Sequence, residues 1–107
     1  MMKVGLLSDT HAWWDEKYLE YFESCDEIWH AGDIGSVDVA EKLAAFRPLR
    51  AVYGNIDGQE IRKMFPQVNR FTVEGAEVLI KHWICFTSIP VRQGCPVFIK
   101  FVPWYVL

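Results

Sequence analysis

The chain has 107 residues, of which 51% are hydrophobic and 23% are charged, and its net charge is −3 at pH 7. This length fits one compact domain over residues 1–107 and excludes two, and the composition is that of a folded protein rather than a disordered one. Because basic side chains are not in excess, we expect neither nucleic acid nor an anionic membrane surface as a partner.

Cysteine usage and the first residues of the chain bear on its compartment. Cys25, Cys85 and Cys95 are scattered, odd in number and without a CxxC pair, which argues against a disulfide framework and against structural zinc. The first apolar run is interrupted by Asp9 and has no features of a cleaved export signal. We therefore expect a cytoplasmic protein.

Short apolar runs alternate with helical patterns over the first 82 residues, and turn residues separate them. The predicted elements in chain order are a strand over 3–8, a helix capped by Asp15, a strand over 27–30, a helix from Ser36 to Phe46, a strand over 49–53, a helix over 59–64, and a hairpin of 70–73 and 77–81. The alternation of strands and helices predicts an α/β fold with a parallel sheet.

The two longer helix predictions rest on caps and on apolar spacing. In the first helix the inward-facing residues are expected to be Tyr18, Leu19, Phe22 and Cys25. In the second, Ala40, Leu43 and Ala44 are expected to face inward, and Pro48 prevents the helix from continuing.

Polar side chains follow each predicted strand. Asp9 and His11 follow the first strand, Asp33 the second and Asn55 the third, and His82 ends the hairpin. The ends of parallel strands meet at one edge of a sheet, so we expect these side chains to converge. Two carboxylates about 4 Å apart repel by roughly 4 kcal/mol at an effective dielectric of 20, so a cation is needed between Asp9 and Asp33. Mixed carboxylate, imidazole and amide ligands suit Mn²⁺, Fe or Zn²⁺.

Three motifs make these positions specific: SDTH over residues 8–11, HAGD over 30–33 and GNID over 54–57. In this order and spacing they resemble the calcineurin-like metallophosphoesterases, and most closely the small bacterial and archaeal phosphodiesterases, a branch that also contains the retromer scaffold subunit. The resemblance covers residues 2–82. It implies a β-sandwich flanked by helices, represented here mainly by the N-terminal βαβαβ half and a hairpin.

The resemblance also implies a dinuclear site. Asp33 would bridge two divalent metal ions, with Asp9 and His11 on the first ion and Asn55 on the second, and His82 stands where the family has a further histidine ligand. Asp33 and Asn55 are therefore the candidate catalytic residues. Mn²⁺ is the expected metal, with Zn²⁺, Fe and Ni²⁺ as alternatives, and the expected substrate is a small phosphodiester attacked by a bridging water.

The chain departs from the family after residue 82. The Gly-His-x-His motif is absent, no histidine follows His82, and all 14 acidic residues precede it. We consider two hypotheses, a reading-frame shift near codon 82 and a divergent short form. Residues 83–107 form an apolar tail, and this composition predicts either short strands or disordered sequence. We also expect the protein to form homo-oligomers through exposed apolar surface. The alternative function is a truncated, catalytically impaired protein or a non-enzymatic scaffold.

The roles of several residues stay open from the sequence. Asp57 can either contribute to the site or cap the next helix. His30 can be a metal ligand, although packing behind the site is the commoner role for such a residue. Trp13 and Trp14 can line a substrate pocket or cover the first helix.

Overall fold

The computed structural model of the chain describes residues 2–89 and 96–101. Within these ranges the order of elements is β1 (Met2–Leu7), α1 (Lys17–Tyr21), β2 (Glu27–His30), α2 (Val37–Phe46), β3 (Leu49–Ala51), α3 (Gln59–Met64), β4 (Asn69–Val73), β5 (Ala76–Ile80), β6 (Ile84–Ser88) and β7 (Val97–Phe101).

The first sheet has four strands in the order β3-β2-β1-β7, and all of its pairings are parallel. Strand β1 lies between β2 and β7. Its first residue, Met2, pairs with Val97, so the two ends of the described chain lie side by side in this sheet. The parallel sheet predicted from the alternation of elements is therefore confirmed. The sequence pattern did not predict that a strand of the tail, β7, pairs with β1.

The second sheet is antiparallel and has the order β4-β5-β6. The turn between β4 and β5 places Glu74 at φ 50° and Gly75 at φ 81°. Positive φ at both central positions is the geometry of a type I′ turn, and the predicted hairpin is confirmed. β6 then extends the hairpin to three strands.

Apolar side chains of the two sheets face each other and form one core. Trp29 is fully buried there and packs edge to face on Phe71 of β4, with ring centroids 5.0 Å apart. The remaining buried members of this core are Val4, Leu6, Ala31, Val52, Val73, Val78, Ile80 and Val97. The sheets therefore form a sandwich, which agrees with the predicted fold class.

Helices cover the opposite face of the parallel sheet. Alternation along β2 sends Ile28 to this side while Trp29 points to the other core, because successive strand residues face opposite sides. The buried members of the helix-side core are Leu7, Tyr18, Phe22, Cys25, Ile28, Ile34, Val39, Ala40, Leu43, Ala51 and Ile61.

The helix α2 agrees with its predicted bounds, since the Ser36 hydroxyl accepts a hydrogen bond from the Val39 N–H at 3.3 Å as its N-cap. Ala40 and Leu43 are buried as predicted, but Ala44 is exposed, so that part of the prediction is wrong. A helix turns about 100° per residue, and Ala44 lies past the margin of the stripe that the buried residues form.

The helix α1 is shorter than the spacing suggested. It ends at Tyr21, so the buried side chains of Phe22 and Cys25 lie beyond its C-terminus, and Leu19 is only half-buried. The prediction that Asp15 caps this helix is wrong, because the N-cap is Glu16 and has no side-chain hydrogen bond. Asp15 lies one residue earlier, and its Oδ1 accepts a hydrogen bond from the Lys17 N–H at 2.9 Å.

The apolar tail contributes one strand to each sheet. The expectation of short strands is met over 84–88 and 97–101, whereas 90–95 and 102–107 lie outside the described residues. None of the helices in the described part of the chain is long and apolar enough to cross a membrane.

Candidate metal centre

Three side chains from separate segments converge beyond the ends of β1, β2 and β5. Asp9, Asp33 and His82 each offer one ligand atom, and these atoms all lie within 4.8 Å of one another. His82 Nε2 is 3.5 Å from Asp33 Oδ2 and 4.0 Å from Asp9 Oδ1. The structure thus brings together three residues that the strand ends and the motifs had singled out.

His11 faces the same pair of carboxylates. Its Nε2 is 3.7 Å from Asp9 Oδ1 and 3.9 Å from Asp33 Oδ2. The His11 and Asp9 side chains are both 53% exposed, whereas that of Asp33 is only 10% exposed. Asp33 is therefore the innermost member of the cluster, and the two histidines approach its outer oxygen.

The backbone at the cluster adopts an uncommon conformation. Asp9, Asp33 and His82 have φ values of 56°, 57° and 45°, all in the left-handed region. Hydrogen bonds hold the first two loops together, because the Asp9 N–H donates to the Gly32 carbonyl at 2.9 Å and the His11 N–H donates to the Asp33 carbonyl at 3.0 Å. Non-glycine residues in this region cluster at functional sites, where the surrounding contacts impose them.

Gly54 allows the third loop to approach Asp33. A Cβ at position 54 would overlap the Asp33 carboxylate and lie 2.5 Å from its backbone nitrogen. The next loop residue but one, Ile56, donates its N–H to Asp33 Oδ1 at 3.1 Å. This hydrogen bond occupies one carboxylate oxygen and leaves Oδ2 toward the histidines.

The hydrogen bond of the His82 ring fixes which of its nitrogens is available. Nδ1 lies 2.9 Å from the Ala31 carbonyl oxygen, which can only accept, so Nδ1 carries the proton and donates it. In the neutral ring the lone pair is then on Nε2, which faces Asp9 and Asp33. Two carboxylate oxygens and this nitrogen are the kinds of atom that bind a divalent cation, and they lie within 4.8 Å of one another.

Asn55 lies in the third loop but outside this network. Its neighbours Gly54 and Ile56 donate their N–H groups to Asp57 Oδ2 and Asp33 Oδ1, respectively. The Asn55 side chain itself is exposed and makes no hydrogen bond to the described residues. Its amide is therefore next to the cluster along the chain, and the metal role expected for it stays a prediction.

Asp57 joins the second and third loops. Its carboxylate is buried and accepts N–H groups from Gly35 and Gly54, each at 2.8 Å, and from Ile34 at 3.2 Å. The hypothesis that Asp57 caps α3 is wrong, because the N-cap is Gly58 and has no side-chain hydrogen bond. The sequence did contain a signal for this role of Asp57. It is an aspartate among turn residues, and aspartates in turns often accept hydrogen bonds from nearby backbone N–H groups.

His30 is fully buried behind the cluster, and both of its ring nitrogens are occupied. Nδ1 accepts the Gly32 N–H at 3.1 Å, while Nε2 donates to the Thr10 hydroxyl at 3.0 Å. That hydroxyl in turn donates to the Ile34 carbonyl at 2.9 Å. Burial lowers the pKa of His30 to about 3, although the nearby carboxylates of Asp57 and Asp33 act in the opposite direction. His30 is thus a neutral packing residue.

Comparison with known proteins agrees with the motifs. The model of the calcineurin-like phosphoesterase superfamily domain matches residues 2–90. The chain belongs to this superfamily. The match ends beyond His82 and includes β6 of the superfamily domain.

One curated relative of this superfamily domain is a protein of Methanothermobacter thermautotrophicus named "Probable metallophosphoesterase". The two are 30% identical over 86 residues, which cover 76% of the chain and 49% of the relative. The chain therefore spans about half the length of this relative. No solved structure matches the chain. The family implies divalent metal ions, and Asp9, Asp33 and His82 form a group in the superfamily domain that can hold one.

Proposed function

We propose that the chain is a metal-dependent phosphoesterase that acts on small phosphodiesters in the cytoplasm. The observation that carries this proposal is the convergence of Asp9, Asp33 and His82, with the lone pair of His82 Nε2 directed at the two carboxylates. Membership of the superfamily supplies the class of reaction.

In this proposal Asp33 would be shared by two divalent ions, of which Asp9 and His11 would hold one and Asn55 and His82 the other. When bound, the ions acidify the attacking water and neutralise charge on the phosphoryl oxygens. The positions of the protein ligands are set by backbone contacts, since Ile56 N–H fixes one oxygen of Asp33 and the Ala31 carbonyl orients the ring of His82. Such fixed geometry lowers the cost of reorganisation during the reaction.

The donor set favours Mn²⁺, because carboxylate oxygen and imidazole nitrogen suit a cation of intermediate hardness. Zn²⁺, Fe and Ni²⁺ are the alternatives. A small substrate is favoured over nucleic acid, since the net charge is −3 and no surplus of basic residues is present to bind a polyanion.

The number of imidazoles limits the expected rate. The sequence contains three histidines, and His30 is buried with both nitrogens occupied, which leaves His11 and His82 at the cluster. Loss of even an indirect partner of a metal site typically costs about 10- to 100-fold in affinity or activity. We therefore expect the 107-residue chain to hydrolyse phosphodiesters far more slowly than a relative with the Gly-His-x-His motif.

The test is hydrolysis of bis(p-nitrophenyl) phosphate with Mn²⁺, together with calorimetry of Mn²⁺ binding. We expect weak Mn²⁺ binding and slow turnover, both lost in Asp33→Ala and both retained in Asp38→Ala, which changes an exposed carboxylate on α2. Equal activity of the protein and Asp33→Ala would reveal a contaminating phosphatase. Mn²⁺ binding unchanged in Asp33→Ala would refute the site and favour the scaffold alternative.

A further inference from the structure

The Thr10 side chain lies between the two loops that carry the carboxylates of the metal centre. Thr10 stands between Asp9 and His11 in the sequence, and it is buried whereas both of its neighbours are exposed. A threonine hydroxyl in a turn commonly bonds to the backbone of its own turn. The Thr10 hydroxyl instead bonds to residues of β2 and of the loop that follows it. It is therefore part of the contact between the two loops.

The hydroxyl completes a chain of three hydrogen bonds that begins and ends beside Asp33. The Gly32 N–H donates to His30 Nδ1 at 3.1 Å, so the neutral ring carries its proton on Nε2. This Nε2–H donates to the Thr10 hydroxyl at 3.0 Å, and the hydroxyl donates to the Ile34 carbonyl at 2.9 Å. Gly32 and Ile34 are the two neighbours of Asp33 in the sequence. Thr10 is thus tied to the backbone on both sides of Asp33.

The stretch around Thr10 has an uncommon backbone conformation that needs support from its surroundings. Asp9 and His11 have φ values of 56° and 48°, which residues other than glycine keep only where the surrounding contacts impose them. The Ile34 carbonyl accepts the Ala12 N–H at 2.8 Å in addition to the Thr10 hydroxyl, so both of its lone pairs are used. Thr10 is the buried residue between the two strained positions, and its side chain anchors them to the second loop.

We propose that Thr10 is a positioning residue for metal binding, whose hydroxyl holds the loop of Asp9 at a fixed place relative to Asp33. This proposal rests on the proposed function, because it needs an ion at the metal centre. Thr10 does not act as a ligand itself, since its hydroxyl is engaged with His30 and Ile34. Ligand atoms that are held in place beforehand lose less freedom when an ion binds. Changing a residue that orients metal ligands typically weakens metal binding about 10- to 100-fold.

The test compares Thr10→Val with Thr10→Ser. Valine has nearly the shape of threonine but lacks the hydroxyl, whereas serine keeps the hydroxyl and lacks the methyl group. Mn²⁺ alone is titrated into each protein, and the free ion is measured by its electron paramagnetic resonance signal. We expect Thr10→Val to bind Mn²⁺ at least about ten-fold more weakly than the unaltered protein. Thr10→Ser should bind Mn²⁺ with nearly the original affinity.

A control separates the position of the loop from the stability of the protein. Val73→Ala shortens a buried side chain of β4, a strand that carries no candidate ligand. It should lower the free energy of unfolding, measured by urea denaturation without metal, but leave the Mn²⁺ affinity unchanged. Thr10→Ala is a second variant without the hydroxyl, and its smaller side chain places no methyl group against the Ile34 carbonyl. We expect the same loss of Mn²⁺ affinity in it as in Thr10→Val.

The outcomes distinguish the role of Thr10 from the proposed function. If the unaltered protein does not bind Mn²⁺, the proposed function fails and the role of Thr10 fails with it. Only the role of Thr10 is overturned if Thr10→Val binds as tightly as the unaltered protein, or if Thr10→Ser or Val73→Ala binds as weakly as Thr10→Val. If neither Thr10→Val nor Thr10→Ala unfolds cooperatively, the hydroxyl is required for folding rather than for metal binding, which also overturns the proposal.

Discussion

Asp57 shows how a single residue can hold two loops of the site in register. Its carboxylate accepts N–H groups from the loop that carries Asp33 and from the loop that carries Asn55. Hydrogen bonds to a buried charged group contribute about 1.5–3 kcal/mol each, and an unsatisfied partner adds a penalty of similar size. The position of Asp33 relative to the third loop therefore depends on this side chain.

We expect Asp57→Asn to lower the free energy of unfolding by about 2–4 kcal/mol, because the amide replaces one acceptor with a donor that faces backbone N–H groups. Urea denaturation measures the change. Asp38→Asn serves as a control on the surface of α2, where a change of at most about 0.5 kcal/mol is expected. A value for Asp57→Asn equal to that of the control would show that the loops do not need the carboxylate.

His30 makes stability depend on pH. Its pKa is about 3 in the folded protein, whereas a histidine in the unfolded chain titrates near 6.5. Below about pH 6.5 the unfolded state binds a proton that the folded state does not, so stability is present above that pH and is lost as the pH falls toward 3. From about pH 7.5 to about pH 5 this histidine accounts for a loss of about 2 kcal/mol.

The variant His30→Gln removes this titration. We expect its free energy of unfolding to be lower at neutral pH, because packing and hydrogen bonds are disturbed, but to fall less steeply between about pH 7.5 and about pH 5. Urea denaturation at several pH values measures both quantities. Parallel curves for the two proteins would contradict a neutral, buried His30.

At the scale of elements, features marked by neighbouring residues could be predicted from the sequence, whereas features set by contacts between distant residues could not. The bounds of α2 and α3 could be predicted because Ser36, Pro48 and Pro66 mark helix ends locally. The pairing of β7 with β1 could not, because it joins residues far apart in the chain and β7 has no helix crossover in its pattern. Register of that kind is set by tertiary packing.

The same distinction applies to the site. The placement of Asp9, Asp33 and His82 could be predicted because each lies within three residues of the end of a strand. The bonding of Asp57 and the neutral state of His30 could not, since both depend on burial by elements that are remote in sequence.

The cap of α2 gives a prediction at this scale. Ser36→Ala removes the acceptor for the Val39 N–H, and loss of an N-cap typically costs about 1 kcal/mol of stability. Thermal or urea denaturation should show this loss, whereas Ser24→Ala at an exposed position outside the helices should change stability little. Equal stability of Ser36→Ala and Ser24→Ala would show that the cap contributes nothing in water.

For the whole molecule, the two sheets leave an apolar strand at one border. In the order of the described strands β7 comes last, next to β1, and its Phe98 and Phe101 are 53% and 51% exposed. An open strand edge with exposed apolar side chains promotes association between chains. This border is where we expect the homo-oligomers predicted from the apolar composition of the tail.

Light scattering at increasing protein concentration tests this expectation. We expect the mean mass to rise with concentration, and the rise to be smaller in Phe98→Lys, because a charge on an edge strand opposes pairing. The same substitution at another exposed apolar side chain, Met64→Lys on α3, is the control. A monomer at all concentrations, with one cooperative thermal transition, would instead show that the two-sheet core is sufficient by itself.

The left-handed backbone at Asp9, Asp33 and His82 implies a trade-off between stability and activity. Glycine adopts such φ values freely, whereas another residue pays about 1 kcal/mol there, so selection for stability alone would place glycine at all three positions. Asp9→Gly and Asp9→Ala both remove the carboxylate. In urea denaturation the free energy of unfolding of the glycine variant should exceed that of the alanine variant by about 1 kcal/mol. That difference is the stability lost by having a side chain instead of glycine at position 9, where φ is positive. The protein accepts this loss because the side chain is a candidate metal ligand.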